Sequence, residues 1–118
     1  MILHVVLYQP KASATQEELS QLVEALQAVS REISSIRQVR VGKAIDLGFG
    51  YSNWPKDRKS GNVAVFEFDD RAGLEAYLSH EAHKKLAMLF WNTCDQPTIV
   101  DVSAIDPRCG NLAELLVT

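Results

Sequence analysis

Cysteine is scarce in this chain, which has two cysteines among its 118 residues. Cys94 and Cys109 stand alone in the sequence and form no C-x-x-C pair. A disulfide framework in a small domain needs more cysteines than this. We therefore expect both thiols to be reduced and the protein to be cytoplasmic.

Long hydrophobic runs are missing as well. No apolar run approaches the roughly 20 residues that a bilayer-spanning helix needs, and the apolar start at residues 1–7 lacks the basic region and cleavage site of a signal peptide. The net charge is −3, and there is no long run of lysine and arginine. We therefore expect neither nucleic acid nor a membrane as a partner.

The remaining composition is typical of one globular domain, because 47% of the residues are hydrophobic and 23% are charged. Alternating apolar residues predict four strands, and a capping box at Thr15–Glu18 predicts the start of a helix. The predicted strands are 2–8, 36–47 (with a bulge at Gly42), 62–68 and 97–104. The helix is expected to bury Leu19, Leu22, Val23, Leu26, Val29 and Ile33.

The order of these elements is β-α-β-β-α-β, which predicts a ferredoxin-like α+β fold with a four-stranded antiparallel sheet. Helices cover only one face of such a sheet. The first strand is nevertheless apolar on both faces, with Ile2, His4, Val6 and Tyr8 on one and Leu3, Val5 and Leu7 on the other. An exposed apolar sheet is unfavourable, so we expect two copies to pack sheet to sheet as a homodimer.

The candidate functional site is the segment 74–83, which follows the third predicted strand and two aspartates suited to cap a helix. If the segment is helical throughout, Tyr77, His80 and His83 are three residues apart and lie near one face. In the alternative interpretation, His80 lies in the turn between two helical pieces. Phenol and imidazole groups can transfer protons near neutral pH, so the segment could support acid–base chemistry.

The two histidines of this segment also raise the question of a metal ion. His80 and His83 are three residues apart, so the segment is not an H-E-x-x-H motif. With Glu81 they could supply some ligands, but a stable zinc site needs three or four, and no further ligand is identified. We expect no metal. We also expect no nucleotide cofactor, because a Gly-rich phosphate loop is absent.

Several segments together resemble the stress-responsive dimeric α/β-barrel family. They are the histidine-containing start at residues 1–7, the capped first helix, the run Phe66–Asp69 and the Tyr-x-x-His-x-x-His segment. The resemblance implies a barrel formed by the sheets of two ferredoxin-like subunits. It covers residues 1–105, so we expect these to form the domain and residues 106–118 to form a C-terminal tail.

The resemblance also suggests catalytic residues. The plant olivetolic acid cyclase of this family closes a polyketide ring with a histidine and a tyrosine, which correspond here to His83 and Tyr77, while its first-strand histidine corresponds to His4. Each residue also has a structural explanation. His83 could cap a helix, and Tyr77 and His4 could be core residues whose polar atoms are satisfied.

Two functions therefore remain open. The first is a stress-associated dimer that binds a small apolar or aromatic molecule, with no known reaction. The second is a cofactor-free polyketide cyclase-like lyase, in which His83 removes a proton beside a carbonyl and Tyr77 stabilises the enolate. No cofactor is expected, although haem, which distant relatives bind through an axial histidine, is an alternative. The long loop at 48–61, with Tyr51 and Trp54, could cover a pocket.

Overall fold

The computed structural model describes residues 1–51, 61–108 and 110–116. The elements in these residues are β1 (Ile2–Tyr8), α1 (Gln16–Glu32), β2 (Ile36–Lys43), β3 (Asn62–Phe68), α2 (Arg71–Ser79), α3 (Glu81–Thr93), β4 (Thr98–Ser103) and α4 (Leu112–Leu116). Up to β4 this is the predicted order, with its second helix divided into α2 and α3. The short α4 lies in the predicted tail.

The four strands form one sheet in the order β2-β3-β1-β4, and every neighbouring pair is antiparallel. The central strand β1 pairs with both β3 and β4, so that Val5 lies opposite Val65 on one side and Val100 on the other. This topology confirms the ferredoxin-like α+β fold. It also brings β4 next to β1, although the two strands are far apart in sequence.

The N-terminus of α1 is fixed by the predicted capping box. The Thr15 hydroxyl accepts a hydrogen bond from the backbone N–H of Glu18 at 3.1 Å, and the Glu18 carboxylate accepts one from the N–H of Thr15 at 3.0 Å. Each bond satisfies a donor that the first turn of a helix leaves unpaired. The helix therefore begins where the sequence places it.

The buried face of α1 differs in part from the predicted one. Leu22, Ala25 and Val29 are buried, whereas Val23 is 51% exposed. Consecutive helical residues are about 100° apart around the axis, so a face centred on residues 22, 25 and 29 turns Val23 towards solvent. The assignment of Val23 to the core was wrong. Ala25, which the prediction from large apolar residues omitted, takes a core position.

The core lies between the helices and one face of the sheet. Strands β1 and β3 contribute alternate residues to it, and the three long helices contribute their inward faces. Its main members are His4, Val6, Tyr8, Ala64, Phe66, Phe68, Leu22, Val29, Leu74, Tyr77, Leu86 and Phe90. His4 is therefore placed inside the core, on the same side of β1 as Val6 and Tyr8.

The opposite face of the sheet is mainly apolar, with Gln38, Arg40 and Glu67 as its polar members towards β2, and it is covered by no helix of the described residues. Its central row is formed by Arg40, Val65, Val5 and Val100 on adjacent strands. Val100 and Val102 are 47% and 37% exposed, and the valines and leucines of β1 and β3 on this side are half-buried. We refer to this surface as the open face.

Strand β2 is shorter than predicted, because it ends at Lys43 and not at Leu47. The N–H of Ala44 still donates to the carbonyl of Gly61 at 2.7 Å, after which the chain leaves the sheet. Gly48 then adopts a positive φ of 81°, a conformation that favours glycine and redirects the backbone. Residues 52–60 of the predicted loop, with Trp54, lie outside the described residues.

The predicted bulge at Gly42 was also wrong. Gly42 pairs in register with Val63, and the irregularity lies between Ile36 and Gln38. The extra residue there is Arg37, whose Nε donates to a carboxylate oxygen of Asp69 at 2.7 Å. The bulge therefore occurs at the start of β2, where an ion pair holds the additional residue.

Candidate functional site

The segment 74–83 is not one continuous helix. Helix α2 ends at Ser79 and α3 begins at Glu81, while His80 has extended dihedral angles (φ −73°, ψ 142°). The Nδ1 atom of His80 accepts a hydrogen bond from the N–H of Ala82 at 3.0 Å, so the imidazole caps α3. Of the two sequence interpretations, the structure therefore shows the one with His80 in a turn.

This turn brings Tyr77 and His83 together from two different helices. The centroids of their rings are 4.5 Å apart, with an angle of 59° between the ring planes. The ring of His4 lies 5.7 Å from that of Tyr77. The structure thus places the other two candidates, His4 and His83, against Tyr77. The break between α2 and α3, and not regular helical spacing, brings His83 there.

The hydrogen bond of His83 determines which of its nitrogens is available. Its Nδ1 atom lies 3.0 Å from the carbonyl oxygen of Leu78, and a carbonyl can only accept, so Nδ1 carries the proton. The Nε2 atom of the neutral ring therefore has a free lone pair. Burial lowers the pKa of His83 below 6.5; the hydrogen bond to Leu78 opposes this shift, and the nearby His4 adds a smaller lowering. The neutral, basic form is therefore favoured near pH 7.

The phenol of Tyr77 is suited to donate a hydrogen bond and not to ionise. Its side chain is 2% exposed, and burial raises its pKa. Phe66 and Phe68 pack against its ring, with centroids at 5.1 and 5.4 Å. These contacts hold the ring in place, so the hydroxyl is a fixed neutral donor beside His83.

The third candidate, His4, has a carboxylate partner that the sequence analysis missed. Its Nδ1 atom lies 2.5 Å from Oδ1 of Asp101 on the adjacent strand β4. The carboxylate accepts a hydrogen bond from Nδ1–H, which leaves Nε2 as the other interacting atom of the ring. An aspartate in the middle of the otherwise apolar strand β4 is the sequence signal that could have indicated this pairing.

The three polar residues line one cavity between the sheet and the helices. Its volume is about 60 Å³, well above the roughly 10–15 Å³ that a single water molecule needs. The remaining wall is mainly apolar and includes Val6, Phe66, Leu86, Phe90, Trp91 and Ile99. Trp91 and Ile99 are 56% and 49% exposed, so they mark the mouth of the cavity.

No group of three or more histidine, cysteine, aspartate or glutamate side chains in the described part of the chain could hold a metal ion. The imidazoles of His4, His80 and His83 each use Nδ1 in a hydrogen bond within the protein. The site described above consists of two imidazoles, one phenol and an apolar wall.

In the described part of the chain, no helix has both the length and the hydropathy that a membrane crossing requires.

The fold and the site together define the class of protein. It is a ferredoxin-like α+β domain with a small pocket between sheet and helices that histidine and tyrosine side chains line. The sequence profile of the family described as Stress responsive A/B Barrel Domain matches residues 2–104. The chain belongs to this family. No curated protein sequence matches the chain.

Solved structures with low sequence identity share the fold. A Dabb family protein with a ferredoxin-like fold from Mesorhizobium loti is 23% identical, with a TM-score of 0.67 over 89% of this chain and 97% of that one. A dimeric ferredoxin-like protein of unknown function from Thermobifida fusca is 20% identical, with a TM-score of 0.65 over 87% and 90%. A hydroxynitrile lyase from Passiflora edulis is 15% identical, with a TM-score of 0.70 over 90% and 96%.

Proposed function

We propose that this protein is a homodimer whose cavity binds a small, neutral, largely apolar or aromatic molecule. The observation that carries the proposal is the convergence of His4, Tyr77 and His83 on one mainly apolar cavity. An apolar pocket with a few polar groups at one end is the usual architecture of a small-molecule site. The phenol and the two imidazoles would orient a carbonyl or hydroxyl group of the ligand.

The size and polarity of the cavity narrow the ligand class. A volume of about 60 Å³ suits a compact molecule better than an extended linear poly-ketone, which would need the mouth at Trp91 to open. Among the described residues no lysine or arginine lines the cavity, so an anionic ligand would find no cation there to balance its charge. A small neutral aldehyde or ketone meets both constraints. A benzene-sized ring needs a cavity of about 150 Å³, so an aromatic ligand would also occupy the open mouth at Trp91 and Ile99.

A second candidate function is a cofactor-free lyase or cyclase. It is supported by the free Nε2 of His83, the lowered pKa of that residue and the neutral phenol of Tyr77 at 4.5 Å between ring centroids. In this reaction Nε2 would remove an acidic proton next to a carbonyl, and the Tyr77 hydroxyl would donate a hydrogen bond to the developing oxyanion. One structural neighbour is described as a hydroxynitrile lyase, which lends the lyase alternative support by analogy.

The homodimer is supported by the open face of the sheet. Its central strands expose a contiguous set of valine and leucine side chains that one copy leaves uncovered among the described residues. A second copy, packed face to face around a two-fold axis, would bury this surface. A structural neighbour described as dimeric supports the same assembly.

A cytoplasmic location is part of the proposal. Cys94 is a free, buried thiol, and burial raises its pKa to about 11. It therefore remains a protonated and unreactive thiol near pH 7. This agrees with a protein that does not depend on disulfide bonds.

Titration of the protein with benzaldehyde, acetophenone and phenol, followed by NMR, tests the binding function. We expect saturable shifts at His4, Tyr77 and His83. The substitution Ala87→Phe, which fills the lining of the cavity, should abolish them, whereas Met88→Phe on the exposed side of the same helix should not. Equal binding by the two variants would contradict the proposal.

Turnover separates the two candidate functions. If the protein is a lyase, the wild type should convert a small cyanohydrin or a poly-ketone, His83→Ala should abolish turnover, and Tyr77→Phe should lower kcat more than it changes ligand affinity. Binding without turnover of any of these compounds favours the non-catalytic function.

A further inference from the structure

Residues 44–51, which we call the arm, expose an unusual amount of apolar surface. Ile45, Leu47, Phe49 and Tyr51 occupy alternate positions and are 73%, 58%, 75% and 66% exposed. Isolated apolar side chains are common on protein surfaces, but four within seven residues form a contiguous patch that requires a partner. Nothing in the described part of the same chain covers them.

The arm has a defined local structure. The carboxylate of Asp46 accepts a hydrogen bond from the N–H of Gly48 at 2.8 Å, and the rings of Phe49 and Tyr51 are nearly parallel, with centroids 6.1 Å apart and an angle of 7°. Gly48 and Gly50 have positive φ angles, which lets the two rings stack on one side. The arm therefore presents an ordered pair of aromatic rings to its surroundings.

The charges of the open face select the orientation of the proposed two-fold axis. One possible axis lies in the plane of the interface and runs perpendicular to the strands. It would place β2 of one copy on β2 of the other and the two central rows on each other, so that the two Arg40 side chains would meet. Among the described residues Arg40 forms no ion pair with a carboxylate, and its guanidinium donates to the carbonyl of Val39 at 2.9 Å. Two facing guanidinium groups would repel each other.

An axis parallel to the strands avoids this repulsion. It places β2 over β4 of the partner and separates the two Arg40 positions by three strand spacings, roughly 14 Å along the sheet. It also aligns the same ends of the two sheets. Gly42 of β2 and Thr98 of β4 lie in one row across the sheet, so the arm, which follows β2, would begin beside the start of β4 of the partner.

The mouth of the cavity lies at this edge. Its exposed residues, Trp91 and Ile99, lie on α3 and β4, and Pro97 immediately precedes β4. The five residue steps from Ala44 to Phe49 span at most about 17 Å when extended, and stacked sheets are about 10 Å apart. Once the turn at Asp46–Gly48 straightens, the arm is long enough to carry Phe49 across the interface to this edge of the partner.

We propose that the arm of each subunit packs its Phe49 and Tyr51 rings over the cavity mouth of the other subunit, so that each site contains residues of both copies. This inference rests on the homodimer proposed above. The arm buries its own apolar surface in this way, and it closes the side of the cavity that Trp91 and Ile99 leave open. Access of a ligand then depends on movement of the partner's arm.

Cysteine cross-linking tests the contact directly. In a background with Cys109→Ser, the pair Phe49→Cys and Ile99→Cys should give a covalent dimer on oxidation, because a disulfide forms only when the two Cα atoms are within about 7 Å. The matched control replaces Ile99→Cys by Val23→Cys, which is 51% exposed on α1 and should yield monomer on a denaturing gel. The buried Cys94 stays in place in both variants.

Light scattering on the wild type separates the two levels of the proposal. A dimer in solution that gives no covalent product with the Phe49 and Ile99 pair would overturn the arm contact and leave the homodimer standing. A monomer would overturn both. As a second measurement, the double variant Phe49→Ser and Tyr51→Ser should remain dimeric but exchange the amide hydrogens of β4 faster; unchanged exchange would contradict the arm contact.

Discussion

The Nδ1 atom of His4 lies 2.5 Å from Oδ1 of Asp101, although 97 residues separate them in the sequence. The imidazole is buried, with 7% of its side chain exposed, whereas the carboxylate is half exposed. Asp101 therefore lies between the buried ring of His4 and the solvent at the edge of the sheet. Asp101 is a positioning residue for His4, because the carboxylate fixes which ring nitrogen is protonated.

Removing this charge should loosen the orientation of His4. We expect Asp101→Asn to lower the free energy of unfolding by about 1 kcal/mol, because a hydrogen bond to a half-exposed carboxylate is replaced by a weaker one to an amide. The ¹⁵N shifts of the His4 ring should show a mixture of tautomers in place of one. Asp95→Asn, at an exposed position just before β4, should leave these shifts unchanged.

The lowered pKa of His83 predicts a pH dependence of stability. The folded state binds the His83 proton more weakly than the unfolded state, whose pKa is near 6.5. Its contribution to stability is thus fully present above that value and is lost as the pH falls through the lower folded pKa. Urea melts between about pH 7.5 and pH 5.5 should show decreasing stability. The slope should become smaller in His83→Gln, and equal slopes would contradict the prediction.

Two valines on one helix test the buried face of α1. Val29 is fully buried and Val23 is 51% exposed. Val29→Ala should lower the free energy of unfolding by about 2 kcal/mol, because it removes buried methyl groups and leaves a cavity. Val23→Ala should change it by less than about 0.5 kcal/mol. Similar losses in denaturant melts of the two variants would mean that α1 is rotated about its axis.

The open face should tolerate no charge at its centre. Val5 lies between Val65 and Val100 in the central row, so Val5→Lys would place two unpaired charges in the dimer interface. We expect this variant to be a folded monomer by light scattering and circular dichroism at micromolar concentration. Val23→Lys, on the outer surface of α1, is the control and should remain a dimer. A dimeric Val5→Lys variant would show that the interface lies elsewhere.

The sequence predicted the order of the elements because alternating apolar strands and the capping box at Thr15 are local signals. It did not predict the end of β2, because that end is set by where the pairing with β3 stops, at Lys43 and Asn62. The partnership of His4 with Asp101 was also missed, because it arises only from the register of β1 and β4. Residue spacing grouped Tyr77 and His83 on the condition of a continuous helix, and the family resemblance also paired them, but the helix break at His80 produces their contact.

The position of β1 in the sheet has a consequence for how the chain acquires its structure. β1 is synthesised before the other strands of its sheet but hydrogen-bonds to β4, which emerges from the ribosome nearly one hundred residues later. Until then its apolar residues have no second neighbouring strand. Such non-local pairing slows folding and prolongs the exposure of sticky segments. The sheet of the nascent chain is therefore expected to be completed only after β4 has been translated.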